Sequence, residues 1–109
     1  MFRPITYKPF YSRFKDEPVH GVHIVISDYE KVMPFEAQLH IMEVIQKLYP
    51  EAGLFTDEKA KKSLFDEVLG TDSIRQRILA GDSAEAIIAD YQPQVAEFKK
   101  LRQQHLIYR

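Results

Sequence analysis

Apolar and polar positions alternate from Phe2 to Tyr11, around Ile5 and Tyr7, with the two-residue period of a strand. Pro4 and Pro9 bring no N–H to a ladder, so this strand belongs at a sheet edge or is irregular. A polar connection follows from Arg13 to His20. After Gly21 the run Val22-His23-Ile24-Val25-Ile26 is the clearest strand signal in the chain. Its β-branched, almost unbroken apolar character predicts burial on both faces. Ser27 to Glu30 reads as a turn.

The period then changes. Pro34 stands where a helix would begin, a place that tolerates its missing N–H. From Phe35 to Tyr49 the positions Phe35, Leu39, Met42, Ile45 and Tyr49 follow helical spacing, and Ile41, Val44 and Leu48 widen the stripe. This helix is expected at the centre of the core, with Pro50 ending it. Glu51 to Lys62 reads as a charged loop with a short strand near Leu54-Phe55. Ser63 to Leu69 makes a short helix closed by Gly70. Thr71 is expected to cap a second one that runs to Ala80, with Gly81 closing it. Asp82 and Glu85 have the capping-box spacing and open a third. Its stripe is Ala84, Ile87, Ile88, Tyr91, Val95, Phe98 and Leu101, and Pro93 predicts a kink or break near Asp90 to Gln92. His105 to Tyr108 has the pattern of a final short strand. The sum is an α+β fold: a small mixed sheet against about three to four helices, in a single domain over residues 1–109.

Composition narrows the function classes. The chain has 109 residues, 45% apolar and 28% charged, the balance of a globular protein. Fifteen basic residues against 16 acidic ones leave a net charge of -1. That argues against binding nucleic acid, which calls for a basic face. With no cysteine, thiol catalysis, disulfides and thiolate metal sites are excluded. No apolar run is long enough to cross a bilayer, so no membrane partner is expected. Met1-Phe2-Arg3-Pro4 lacks the apolar core of a signal peptide, which points to cytoplasmic synthesis or to a piece of a longer chain.

Candidate chemistry is sparse. His20 and His23 straddle a glycine and should diverge, while His40 and His105 share no ligand spacing with them, so no metal is expected. Asp16-Glu17, Asp57-Glu58 and Asp66-Glu67 are adjacent pairs, and neighbouring acids rarely make the facing pair a glycosidase needs. Caps, salt bridges and solvated loops account for them, and Lys59 to Lys62 reads as a solvated face. There is no nucleophile elbow and no glycine-rich phosphate loop. The exception is Lys8 to Lys15, where Phe10, Tyr11 and Phe14 alternate with Lys8, Arg13 and Lys15. Aromatic faces with cationic donors suit a sugar ring bearing a carboxylate. An edge strand packing its aromatics on the core, with cations outward, gives the same pattern.

Several stretches, in order, resemble one bacterial family. They are Pro9-Phe10-Tyr11-Ser12-Arg13-Phe14-Lys15, His20-Gly21-Val22, and Asp28 followed by Pro34. Leu48-Tyr49-Pro50, Phe65-Asp66-Glu67-Val68-Leu69-Gly70-Thr71-Asp72 and the ending Phe98 to Tyr108 complete the set. Together they resemble the C-terminal domain of the exo-β-N-acetylmuramidases, long catalogued as a domain of unknown function. The resemblance implies an accessory α/β domain beside an N-terminal Rossmann-like catalytic domain that is absent from this sequence. The implied reaction is hydrolysis of terminal N-acetylmuramic acid from muropeptides or peptidoglycan fragments, with no cofactor, in a secreted or periplasmic setting. Three positions depart from the family: His20 and Asp16 replace glycines, and Tyr91 replaces a tryptophan. On this resemblance Tyr11, Arg13 and Lys15 are expected to line the substrate cleft, with His20 and His23 nearby. Arg13 or Lys15 would pair the lactyl carboxylate of the sugar or an acidic group of its peptide. By itself the chain is expected to have no catalytic residue. A free-standing module binding cell-wall glycan or protein, and a purely structural domain, are the alternatives.

Overall fold

The computed structural model describes residues 1–56 and 60–108. Its elements are β1 (Phe2–Tyr7), β2 (Val19–Ile24), α1 (Pro34–Leu48), a 3₁₀ turn (Pro50–Ala52), α2 (Lys62–Leu69), α3 (Ser73–Ala80) and α4 (Ala84–Gln103). They fall into two compact units, Met1–Met33 and Pro34–Arg109. The α+β class is borne out, with strands in the first unit and helices in the second.

In the first unit β1 and β2 form a two-stranded antiparallel sheet, pairing Phe2 with Ile24, Pro4 with Val22 and Tyr7 with Val19. A loop of residues 8–18 is too short for the crossover that parallel strands need, so the sheet is antiparallel rather than mixed. Met1 and Val25 exchange both backbone bonds, at 2.9 and 2.8 Å. Alternation along the ladder then makes Arg3–His23, Ile5–Gly21 and Tyr7–Val19 hydrogen-bonded pairs and puts Pro4–Val22 between bonds. Pro4 is accommodated because its missing N–H would have pointed away from β2.

Burial of β2 on both faces is not found. The strand begins earlier than the apolar run and ends at Ile24, and Val22 is 64% exposed. The apolar pattern records what each face would bury against, and two strands alone cannot supply it.

The second unit closes on Leu39, Phe55, Ile78, Ala84 and Ile87, ringed by Phe35, Met42, Leu54, Phe65, Ile74, Ile88 and Tyr91. α1 starts at Pro34 and turns Phe35, Leu39 and Met42 inward at helical spacing, while the widened side leaves Val44 and Leu48 exposed. Leu54-Phe55 forms no strand. It sits in a turn closed by Thr56 N–H donating to Gly53 O (3.1 Å), which plants Phe55 against Phe65. α4 meets the core only through its first half, and Phe98 is 61% exposed. Of the kink or break expected near Asp90 to Gln92, the break does not occur: α4 runs unbroken past Pro93, which removes one ladder bond from a 20-residue helix. The tail forms no strand among the described residues, because the amides of Gln104 and His105 still donate to the carbonyls of Leu101 and Arg102.

The caps differ from expectation by one residue. Ser83, not Asp82, caps α4, its side chain accepting from Ala86 N–H at 3.2 Å. Asp82 is engaged by Arg77 at 2.6 Å, and Arg77 also reaches Asp90 at 3.0 Å. Glu43, on α1, accepts the Ala84 N–H at 3.0 Å and is held by Lys47 at 2.6 Å. One carboxylate thus joins α1 to an orphan donor at the start of α4. Thr71 accepts from Ser73 N–H at 3.2 Å, one position ahead of the Asp72 cap. Arg75 grips Asp66 with two nitrogens, at 2.9 and 2.8 Å, tying α3 to α2 across the left-handed Gly70.

Leu39 is 2% exposed, so Leu39→Ala should cost about 2–5 kcal/mol in urea unfolding. The bond from Lys47 and then the Ala84 amide hold the Glu43 carboxyl below its ordinary range, and Arg75 does the same for Asp66. Both groups are lower in the folded state, so their contribution is present at neutral pH and lost as pH falls through the folded values. The urea midpoint should therefore drop below roughly pH 4.5, and Glu43→Gln should flatten that drop while lowering the midpoint at pH 7.

Candidate functional site

The loop between the strands is built by its own backbone. Asp16 N–H donates to Pro9 O at 2.8 Å and Glu17 N–H to Phe14 O at 3.0 Å, closing the segment into a ring. Ser12, Phe14 and Asp16 are left-handed, with φ of 66°, 55° and 62°. Such a conformation is uncommon without glycine and gathers at sites that bind or switch. Alternating it with ordinary residues turns successive side chains outward. Phe10 is 78% exposed, and Tyr11 and Phe14 are exposed beside it. Phe10 and Tyr11 meet edge to face with centroids 4.7 Å apart. Within this chain these aromatics are exposed rather than packed on a core.

An open, shallow concavity is lined by Tyr7 to Phe14, including Lys8, Tyr11 and Arg13. Among the described residues Lys8, Arg13 and Lys15 enter no ion pair. The surface therefore offers aromatic faces beside cationic donors. Tyr7 was not among the expected residues. Its place as the last residue of β1, next to the aromatic–cationic run, is the signal that could have marked it.

The five expected residues are not brought together as one set. Tyr11 and Arg13 line the concavity, and Lys15 lies in the same loop outside it. His20 and His23 lie on β2, and at a separation of three they face opposite sides of the ribbon. His20 Nδ1 is 2.9 Å from Thr6 Oγ1, its partner across the strands, and His23 stands opposite Arg3. At most one histidine can share a ligand with the loop. Among the described residues no three His, Asp or Glu side chains gather as for a metal ion.

The second unit holds a cleft between Leu39, Glu43, Lys47, Ile78 and Asp82, with a volume of about 30 Å³. That is room for little more than a water. Two acids of the Phe65 to Asp72 stretch are structural: Asp66 holds Arg75, and Asp72 Oδ2 accepts from Gln76 at 2.6 Å. Asp57-Glu58 and Lys59 lie outside the described residues.

Residues 1–108 match the family described as exo-beta-N-acetylmuramidase NamZ, C-terminal. The chain belongs to that NamZ C-terminal family. It is 32% identical, over 107 residues, to the peptidoglycan beta-N-acetylmuramidase NamZ of Bacillus subtilis (strain 168), covering 98% of this chain and 25% of that protein. It also resembles the crystal structure of a DUF1343 family protein from Bacteroides fragilis NCTC 9343, with a TM-score of 0.85 and 34% identity. That match covers 100% of this chain and 29% of the other. The chain thus spans a little over a quarter of these relatives at most.

The three residues that depart from the pattern expected on the resemblance are each accommodated. Asp16, where a glycine was expected, has a φ of 62°, so the loop holds a conformation that favours glycine with an aspartate. Aspartate is among the residues that tolerate it best. Tyr91, where a tryptophan was expected, has its ring centroid 5.6 Å from that of Phe35, and burial and then Glu36 push its hydroxyl up in pKa. His20, where a glycine was expected, lies within β2, whose extended backbone does not call for glycine.

Asp16→Gly should slow hydrogen exchange of the residue-16 amide, whose bond to Pro9 closes the loop. Asp16→Val should accelerate it severalfold, because a β-branched residue resists the left-handed region.

Proposed function

We propose that this chain is an accessory domain forming one wall of the substrate cleft in a peptidoglycan-degrading exo-β-N-acetylmuramidase. Its partners are a catalytic domain of the same protein and a muropeptide or peptidoglycan fragment. Family membership supplies the enzyme class, and the exposed concavity from Tyr7 to Phe14 carries the assignment of the wall. Tyr11 would stack on the apolar face of the sugar, and Arg13 would fork onto the lactyl carboxylate, with Lys15 as a second charge at the rim. Hydrolysis belongs to carboxylates outside this chain. Supporting that division, the perturbed carboxylates here, Glu43 and Asp66, are shifted down. A general acid of a glycosidase needs the opposite shift.

Titration with muramic-acid-containing fragments should move amide resonances in residues 8–23. Arg13→Ala should weaken the binding about tenfold, the equivalent of one charge-assisted hydrogen bond. No shifts at millimolar ligand, or shifts confined to the helical unit, would refute the wall. Turnover of a chromogenic muramic acid glycoside by the purified 109-residue chain would refute the accessory role.

A further inference from the structure

The two edges of the β-ribbon are not equivalent. Because Met1 and Val25 form a hydrogen-bonded pair, the outward-facing groups of β2 are the N–H and C=O of His20, Val22 and Ile24. Among the described residues no other backbone group bonds to them. The outward groups of β1 are those of Phe2, Pro4 and Thr6, and Pro4 has no N–H to give. One edge is therefore complete and the other is interrupted at its middle.

The complete edge also lacks the devices that usually protect one. From Val19 to Ile26 there is no Lys, Arg, Asp, Glu or Pro, and Val22 and Ile24 are exposed. A bare, uncharged, β-branched edge is a template for another strand.

The geometry points to a second copy of this chain as that strand, added antiparallel with Val22 on the two-fold axis. In this register Val22 pairs with Val22 of the other copy and His20 with Ile24, each pair exchanging both bonds. The register is self-complementary, as an isologous interface requires. It juxtaposes no like charges and places β-branched side chains across from each other. The result is a four-stranded sheet in the order β1-β2-β2-β1, past the size at which a sheet gains independent stability. Both outer edges are then β1, and Pro4 on each resists a further strand, so assembly stops at two. This pairing uses the edge of the ribbon and leaves the loop from Lys8 to Lys15 free. It stands or falls independently of the proposed function.

Light scattering on a sizing column, over roughly micromolar to several hundred micromolar chain, should show mass rising from 12.8 kDa to twice that value. Over the same range the amides of His20, Val22 and Ile24 should exchange at least tenfold more slowly, with those of Phe2 and Thr6 unchanged. Val22→Pro removes an outward N–H and spares the β1–β2 ladder, so it should hold the chain monomeric while the Arg3 and His23 amides stay protected. A monomer at every concentration, a dimer that leaves the three β2 amides unprotected, or growth beyond two copies would overturn the proposal.

Discussion

The register between β1 and β2 governs what the first unit can do. With Met1 bonded to Val25, every second residue is committed to the ladder, and the remainder send their backbone groups outward. This alternation makes Pro4 harmless inside the hairpin and obstructive at its rim. It brings Thr6 and His20 together in a pair without backbone bonds, where opposed side chains lie closest. It also sends His20 and His23 to opposite faces. A slip of one residue would turn Pro4 into the ladder and cost a bond, so the proline helps fix the register. The loop from Lys8 to Lys15 is held at the end of this hairpin, and its bond from Asp16 to Pro9 closes it independently of any packed core.

The helical unit is organised differently, by a small apolar centre with charged ties around it. Glu43 is the most economical of these. A single carboxylate satisfies Lys47 on its own helix and the first amide of α4, while Ser83 takes the Ala86 amide. Two of the orphan donors at the α4 N-terminus are thereby satisfied from different parts of the sequence. Asp66 with Arg75, and Arg77 with Asp82 and Asp90, join neighbouring elements in the same way. These ties give Glu43, Asp66, Asp82 and Asp90 structural work within the helical unit.

Legibility followed the range of the interaction. α1 was readable to its first residue because Pro34 and a helical stripe act locally, and Gly70 and Gly81 end α2 and α3 as expected. The cap of α4 was misplaced by one because Asp82 and Ser83 both suit a cap. Arg77, five positions before Asp82 and facing it only in the fold, decides between them. The break allowed for at Pro93 and the strand expected in the tail did not form, because a local rule was applied without the length of the helix around it. The burial of β2 was misread because a pattern cannot reveal whether a partner surface is present. At the site, the aromatic–cationic run was visible in the sequence, but the left-handed backbone of Ser12, Phe14 and Asp16 was not.

That backbone bears on how a binding surface is kept open. An exposed aromatic normally folds down onto nearby apolar surface, because burying it is favourable. Here the neighbours are held in conformations with few alternatives, and the ring formed by the Asp16–Pro9 bond limits the collapse of Phe10 and Tyr11. Part of the conformational entropy that a ligand would otherwise have to remove has already been removed during folding. A surface held in this way favours a rigid, partly apolar, anionic ligand over a flexible one, and the sugar ring with its lactyl carboxylate in the proposed function is of that kind.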